Sequence, residues 1–286
     1  MKPRFTCLLL LPLLGALPSH ADEQTQIDFA NGLFSRGFHA EAADEYRKYL
    51  DEYPNGANRP AASYRLGESL YATGKFAEAA QVLDALLESG NAGEYRVRAL
   101  LRCGVARYRT REFEAALKRF ADVLSESPAA EVEAETLYYL GKTYFDAGRH
   151  SEAPRAFRKL TDAHPSSPLA LYGQYQLAYV YLGQNSLPRA AEAFTAVAES
   201  DSADEALRTE CRFRAAEIYD KLGRYDDAVN AYETLSRQFP GSAYAQRAGY
   251  GHAWSLYHAG QYDRALRAAA DFLDKHPDTE WTSGIQ

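Results

Sequence analysis

The stretch "YRLGESLYATGKFAEAAQVL", Tyr64 to Leu83, returns 74 residues later as "YYLGKTYFDAGRHSEAPRAF", Tyr138 to Phe157, with two glycines and an alanine at the same internal spacing. A line that recurs with fixed spacing marks a repeat architecture, in which each copy is one supersecondary unit. Extended along the chain, it places a small residue at Ala30, Gly67, Gly104, Gly141, Ala178, Ala216 and Ala253, at spacings of 37, 37, 37, 37, 38 and 37 residues. Twelve residues after each stands an alanine: Ala42, Ala79, Ala116, Ala153, Ala190, Ala228 and Ala265. Four residues further on, six copies carry a large apolar side chain, Tyr46, Leu83, Phe120, Phe157, Phe194 and Tyr232, and Ala269 stands in the seventh. The units fall near 23–59, 60–96, 97–133, 134–170, 171–208, 209–245 and 246–282.

The pattern inside a unit predicts a helical hairpin. Apolar residues fall at three- and four-residue steps from Leu137 to Tyr144 and again from Ala153 to Leu160, so each half reads as an amphipathic helix. Between the halves sits Gly37, Gly74, Gly148, Gly223 or Gly260, the residue that most easily takes the left-handed conformation that ends a helix. Asn185 can serve there, and Arg111 is a misfit. A glycine within a helix costs about 1 kcal/mol against alanine. Gly67, Gly104 and Gly141 are therefore explained by close approach of the paired helix, with its alanine expected to face them. Units close on a proline, Pro54, Pro128, Pro165, Pro240 or Pro277, and in Pro165-Ser166-Ser167-Pro168 the serine at 167 is placed to cap a helix that Pro168 begins.

Leu140-Gly141, Tyr144, Ala153, Phe157 and Pro165 together resemble the tetratricopeptide repeat, with its pattern of Leu-Gly-x2-Tyr, Ala-x3-Phe and Pro. The resemblance runs from about Glu23 to Pro277 and implies an all-α, right-handed solenoid of about seven helical hairpins. The period exceeds the family's usual length by about three residues. Units lengthened in this way are similar to those of bacterial cell-envelope tetratricopeptide proteins, including outer-membrane assembly lipoproteins and the Tol-associated cell-division coordinator. Two departures stand beside that likeness: no lipoprotein cysteine follows the leader, and no N-terminal coiled-coil segment precedes the repeats.

In this family the first helices line a concave groove. The inward positions carried over by resemblance include Tyr64 and Tyr71; Arg98 and Tyr108; Tyr138, Lys142 and Phe145; Tyr172, Tyr175 and Tyr179; Phe213; and Tyr250, Trp254 and Tyr257. Tyrosine and tryptophan offer large contact area at little rotamer cost while keeping a polar handle, so the set predicts a surface for an extended peptide or protein segment. Sugar rings also stack on aromatic faces, which keeps a polysaccharide partner open. The bland alternative is that such tyrosines pack between neighbouring first helices; the clusters Tyr172-Tyr175-Tyr179 and Tyr250-Trp254-Tyr257 are the ones expected to reach a ligand. The family's carboxylate clamp is broken here: Asn31, Arg98 and Arg102 fall at clamp positions, but Ile27 and Arg65 replace two others.

The first 21 residues read as a cleaved secretory leader. Lys2 and Arg4 precede an apolar run from Leu8 to Leu14, and Ser19 and Ala21 supply the small residues of a cleavage site. The run is about half the length a membrane-spanning helix needs, so the mature chain is expected to be soluble and periplasmic, with no transmembrane segment. Without Lys2 and Arg4, 30 basic side chains face 39 acidic ones, a net charge of −9, which disfavours nucleic acid. Cys103 and Cys211 lie 108 residues apart and read as small buried hydrophobes. His39 and His150 stand where other units have Phe76, Phe113, Tyr225 and Tyr262, so they are expected to pack, while His164 and His276 are expected at solvated helix ends. There is no His-Glu-x-x-His, no pair of histidines at metal-ligand spacing and no glycine-rich phosphate loop.

The sequence thus predicts an exported scaffold or adaptor of envelope biogenesis or cell division, working by binding and not catalysis, with no cofactor or metal. The alternatives are an exopolysaccharide-secretion scaffold and an N-terminal piece of a longer repeat protein or enzyme. The next unit would begin near Ser283, yet the sequence stops at Gln286, so either it is a truncated piece of a longer repeat protein, the favoured reading, or the exposed end is expected to dock on a partner.

Overall fold

The computed structural model describes residues 20–276. The leader with Cys7, the closing Pro277 and the expected start of an eighth unit near Ser283 lie outside the described residues. Among those residues are fourteen α-helices and no strand. They form two compact units that divide after Ala106. In the first, α1 (His20–Ser35) pairs with α2 (His39–Glu52) and α3 (Arg59–Ala72) with α4 (Phe76–Glu88), and a 3-10 turn at Gly93–Tyr95 leads into α5 (Arg96–Arg109), within which the division falls. In the second, α6 (Phe113–Ser125) precedes four hairpins. These are α7 (Ala130–Asp146) with α8 (Ala153–Ala163), α9 (Pro168–Gly183) with α10 (Leu187–Glu199), α11 (Glu205–Lys221) with α12 (Tyr225–Gln238), and α13 (Ala245–His258) with α14 (Tyr262–Lys275). Second helices pack on their own first helix, as α2 on α1, α4 on α3 and α8 on α7, and on the first helix of the next hairpin, as α2 on α3, α6 on α7 and α8 on α9. The repeat period gives no sign of a division within α5.

The repeat positions are the core. The alanines at 42, 79, 116, 153, 190 and 228 have no exposed surface, and Tyr46, Leu83, Phe120, Phe157 and Phe194 are equally sealed. The close approach at the glycines is real, but its partner differs from the one expected. A Cβ built on Gly141 would lie 2.6 Å from Cε1 of Phe157, and one on Gly67 would lie 2.6 Å from Cγ of Leu83. The large residue of the second helix faces the glycine, and not the alanine four residues earlier. Long helical side chains lean back over the turn N-terminal to their own Cα, which carries Phe157 and Leu83 across.

Each hairpin turns on one left-handed residue. At Gly148, with φ 74°, the N–H of Arg149 reaches back to the carbonyl of Tyr144 at 2.8 Å, while that of Gly148 reaches Phe145 at 3.0 Å. These bonds occupy carbonyls that the helix end leaves open. Asn185 takes the same conformation at φ 55°, and so does the misfit Arg111 at φ 64°. A side chain with a Cβ pays about 1–2 kcal/mol there. Arg111 recovers a little through its guanidinium, 5.6 Å from the Phe113 ring centre. Arg111→Gly is therefore expected to stabilise the second unit by about 0.5–1 kcal/mol, the gain being trimmed by the looser unfolded chain. A thermal melt in which the variant unfolds at lower temperature than the parent would contradict this. The cap at Ser167 is as expected: its hydroxyl accepts from the Leu169 N–H at 3.2 Å, with Pro168 opening the helix.

Candidate functional site

The expected groove residues sit on the first helices. In the first unit, Tyr64 stacks on Tyr95 with ring centres 5.2 Å apart, and burial, with Glu68 nearby, pushes its phenol up to about 12. Arg102 binds Glu68 at 2.6 Å and lies 4.7 Å from the Tyr71 ring centre, so it is committed within the fold. Asn31 accepts from the Tyr46 hydroxyl at 2.8 Å, and of the three residues at clamp positions only Arg98 is exposed.

In the second unit, Lys142 lies 5.8 Å from the Tyr108 ring centre and 5.7 Å from that of Tyr138, and Tyr108 donates to Asp146 at 2.7 Å. Burial and the Asp146 carboxylate raise the Tyr108 phenol above its ordinary range. Phe145 meets His150 at 5.2 Å, and Phe34 meets His39 at the same distance, so both histidines pack on aromatic rings as expected. His164 departs from expectation: its Nε2 lies 3.2 Å from Glu133, largely shielded from solvent, because Glu133 on α7 reaches over the end of α8.

Tyr175 and Tyr179 on α9 both donate to Oε1 of Glu210 on α11, at 3.0 and 2.8 Å. Their rings meet Phe194 edge-on at 6.4 and 5.1 Å. Burial comes first among the causes that raise both phenols. Their hydroxyls thus join one first helix to the next. Phe213, expected on the groove surface, is only 3% exposed. Its ring is taken up by Tyr244 at 5.1 Å, Tyr232 at 5.8 Å and the Arg247 guanidinium at 4.5 Å, because its position on α11 turns toward α12.

The remaining aromatics reach solvent. Tyr172 is 47% exposed, Trp254 36% and Tyr257 53%. Trp254 stacks on His258 at 5.7 Å and meets Tyr250 and Tyr257 edge-on at 6.3 and 5.8 Å, which fixes the indole in place. Beside it opens a cleft of about 330 Å³ between α11 and α13, lined by Phe213, Glu217, Asp220, Tyr232, Arg247, Tyr250 and Trp254. Glu217 pairs with Arg214 at 3.0 Å and with Arg247 at 3.5 Å. Asp220 accepts from the Ser255 hydroxyl at 2.7 Å. Burial raises its carboxyl pKa, against the lowering effect of hydrogen bonds from Ser255 and Tyr232. Sequence reasoning missed Asp220. Its signal was present: it stands where other units carry Phe34, Tyr71, Tyr108, Phe145 and Tyr257, and a carboxylate in an aromatic column marks a changed local environment. The cleft thus joins aromatic walls, Phe213, Tyr232, Tyr250 and Trp254, to a mixed-charge set of Glu217, Asp220 and Arg247.

Cys103 and Cys211 are both buried, and burial pushes the Cys211 thiol up to about 12. Among the described residues no three His, Cys, Asp or Glu side chains converge to hold a metal, and no helix is long and apolar enough to cross a membrane.

Stacked helical hairpins with these repeat positions define an α-solenoid of the protein-interaction class. Tetratricopeptide-repeat family models match residues 27–94 and 101–168, 181–249, and 247–279, and the chain belongs to the tetratricopeptide-repeat family. Among solved structures it is similar to the C-terminal part of a repeat-containing protein from Cytophaga hutchinsonii, at 18% identity and a TM-score of 0.69, over 90% of this chain and 98% of that one. It is also similar to a tetratricopeptide repeat protein from Parabacteroides merdae, at 17% identity and a TM-score of 0.58, over 92% and 96% of the two chains. A third, PilF of Pseudomonas aeruginosa, aligns at 17% identity and a TM-score of 0.54, over 79% and 95%. At these identities the likeness concerns the fold alone. No curated protein matches the chain.

Proposed function

We propose that this protein is a periplasmic scaffold that holds an extended protein segment along the first helices of its second unit, in envelope biogenesis or cell division. The observation that carries the binding reading is the contrast between Tyr175 and Tyr179, whose hydroxyls are spent on Glu210, and Trp254 and Tyr257, which are held rigid by ring contacts yet open to solvent. Rigid, exposed aromatics beside a polar cleft have the character of binding hot spots. Glu217, Asp220 and Arg247 at the cleft supply acceptors and a cation for the backbone and side chains of a bound strand. The export and envelope part of the reading rests on the leader-like first 21 residues and on the lengthened repeat.

The test uses the chain as bait in envelope extract beside a Trp254→Ala, Tyr257→Ala variant, followed by fluorescence titration of the captured protein. Loss of two hot-spot side chains is expected to weaken binding by about thirtyfold or more with the melting temperature held. Equal capture by both forms, or capture of a sugar polymer in place of protein, would overturn the groove reading. Fractionation that leaves the chain in the cytoplasm would overturn the periplasmic one.

A further inference from the structure

One hairpin turn breaks the repeat in charge as well as in conformation. The left-handed place between the two helices is glycine or Asn185 in six units and Arg111 in the third. The residue after the small repeat residue is Asn31, Glu68, Val105, Tyr179, Glu217 or Trp254 in six units, with no cation among them, and Lys142 in the fourth. These two exceptions line one cleft of about 560 Å³, together with Arg109. All of its lining belongs to the second unit.

Among the described residues neither Arg111 nor Lys142 is paired with a carboxylate, and the carboxylates beside them in sequence are already engaged. Glu112 pairs with Arg107 and accepts from the Thr110 hydroxyl at 2.7 Å, and Asp146 accepts from the Tyr108 hydroxyl at 2.7 Å. Lys142 lies instead near the Tyr108 and Tyr138 ring centres, at 5.8 and 5.7 Å. Rings hold an ammonium in place without cancelling its charge. Three cations against the single carboxylate of Asp146 leave the cleft at +2, in a chain whose net charge is −7. The dipole of α5 accounts for Arg109 at its C-terminal end, but a cation serving it has no need of the left-handed place that Arg111 takes. Backbone strain retained at a cleft points to use.

We infer that this cleft receives side-chain carboxylates of an acidic protein segment, paired with Arg111 and Lys142. A guanidinium matches the planar carboxylate, and the rings of Phe113 and Tyr139 offer apolar cover for the methylenes that carry it. The lining includes the last residues of α5 and α7, where helix carbonyls disfavour a doubly charged phosphate more than a carboxylate. Asn31, Arg98 and Arg102 take no part in the lining. The inference rests on the groove reading for the source of the segment, to which it adds an acidic stretch at α5 and α7; its test does not depend on that reading.

End-capped tetraglutamate is titrated into the isotope-labelled chain and followed by amide chemical shifts, with tetraglutamine as control and inorganic phosphate as the second anion. Saturating shifts are expected at residues 108–113 and 138–146 with tetraglutamate, not with tetraglutamine, and added salt should weaken them. Arg111→Gly and Lys142→Gln are each expected to lower the affinity by about three- to fivefold, and Lys142→Arg to retain it. The first of these is the telling variant: it should raise the melting temperature while it weakens binding, which an arginine of purely structural role would not do. The Trp254→Ala, Tyr257→Ala variant should bind tetraglutamate as the parent does, so the two readings fail separately. Absence of shifts at the cleft overturns the inference, as does equal affinity in Arg111→Gly and Lys142→Gln. Phosphate bound more tightly than tetraglutamate overturns it as well, in favour of a phosphate site.

Discussion

Gly141→Leu is expected to lower the melting temperature of the second unit by about 4–8 °C. Even the first atom of the new side chain would lie 2.6 Å from the Phe157 ring, and that ring has no exposed surface into which it could move. Overpacking at such a site costs about 3 kcal/mol, with more where the backbone must part. About 1 kcal/mol returns because leucine is a better helix former than glycine. For a unit of this size each kcal/mol moves the midpoint by about 2–4 °C. Gly141→Ala separates the two effects: it adds only the clashing Cβ and should cost less than half as much. The chain itself shows that a Cβ can be accommodated when the hairpin is built for it, since Ala178 holds the same repeat position opposite Phe194. A leucine variant that melts with the parent would mean that α7 and α8 slide apart freely, and that the seven-fold choice of glycine or alanine has another cause.

That prediction was legible in the sequence almost in full, because it depends on spacing within one hairpin. The small residue, the alanine twelve positions on and the large residue beyond it are local facts, and helical geometry brings them together in only one way. The one error was local too. The alanine was expected to meet the glycine, whereas Phe157 does so by leaning back along its helix. Arg111 shows the reverse case, in which the architecture overrides residue preference: the turn forms at φ 64° in spite of its side chain. What sequence could not settle was which aromatics face solvent. Tyr175 and Trp254 look alike in a list of first-helix aromatics. Their difference lies in partners 35 residues or only a few residues away, Glu210 for the first and His258 for the second. Phe213 failed for the same reason, since its burial depends on Tyr232 of α12, Arg247 of α13 and Tyr244 just before α13.

Tyr175→Ala combined with Tyr179→Ala is expected to destabilise the second unit by about 3–5 kcal/mol, although the sequence placed this cluster among the residues expected to reach a ligand. Two half-buried rings leave the flank of Phe194, which is itself sealed, and helix α9 loses its hydroxyl links to α11. Large-to-small changes at packed aromatics cost about 3–5 kcal/mol for a fully buried ring, so two partly buried rings together reach the same range. The conservative pair Tyr175→Phe with Tyr179→Phe keeps the rings and removes only the bonds to Glu210, at a cost of about 1–3 kcal/mol. Alkaline titration reads the hydroxyls directly. Both phenols are raised in the folded state, so between the unfolded value, about 10, and the folded one the native protein holds the proton more tightly. Their stabilisation is complete below that unfolded value and fades as pH rises through the folded one. The phenylalanine pair should therefore lose less stability than the parent above about pH 10. Tyr108 and Tyr232, also raised, leave a residual slope in both. If instead the alanine pair melts with the parent while binding to the captured partner is lost, the tyrosines are a recognition surface and the Glu210 contacts are incidental to the fold.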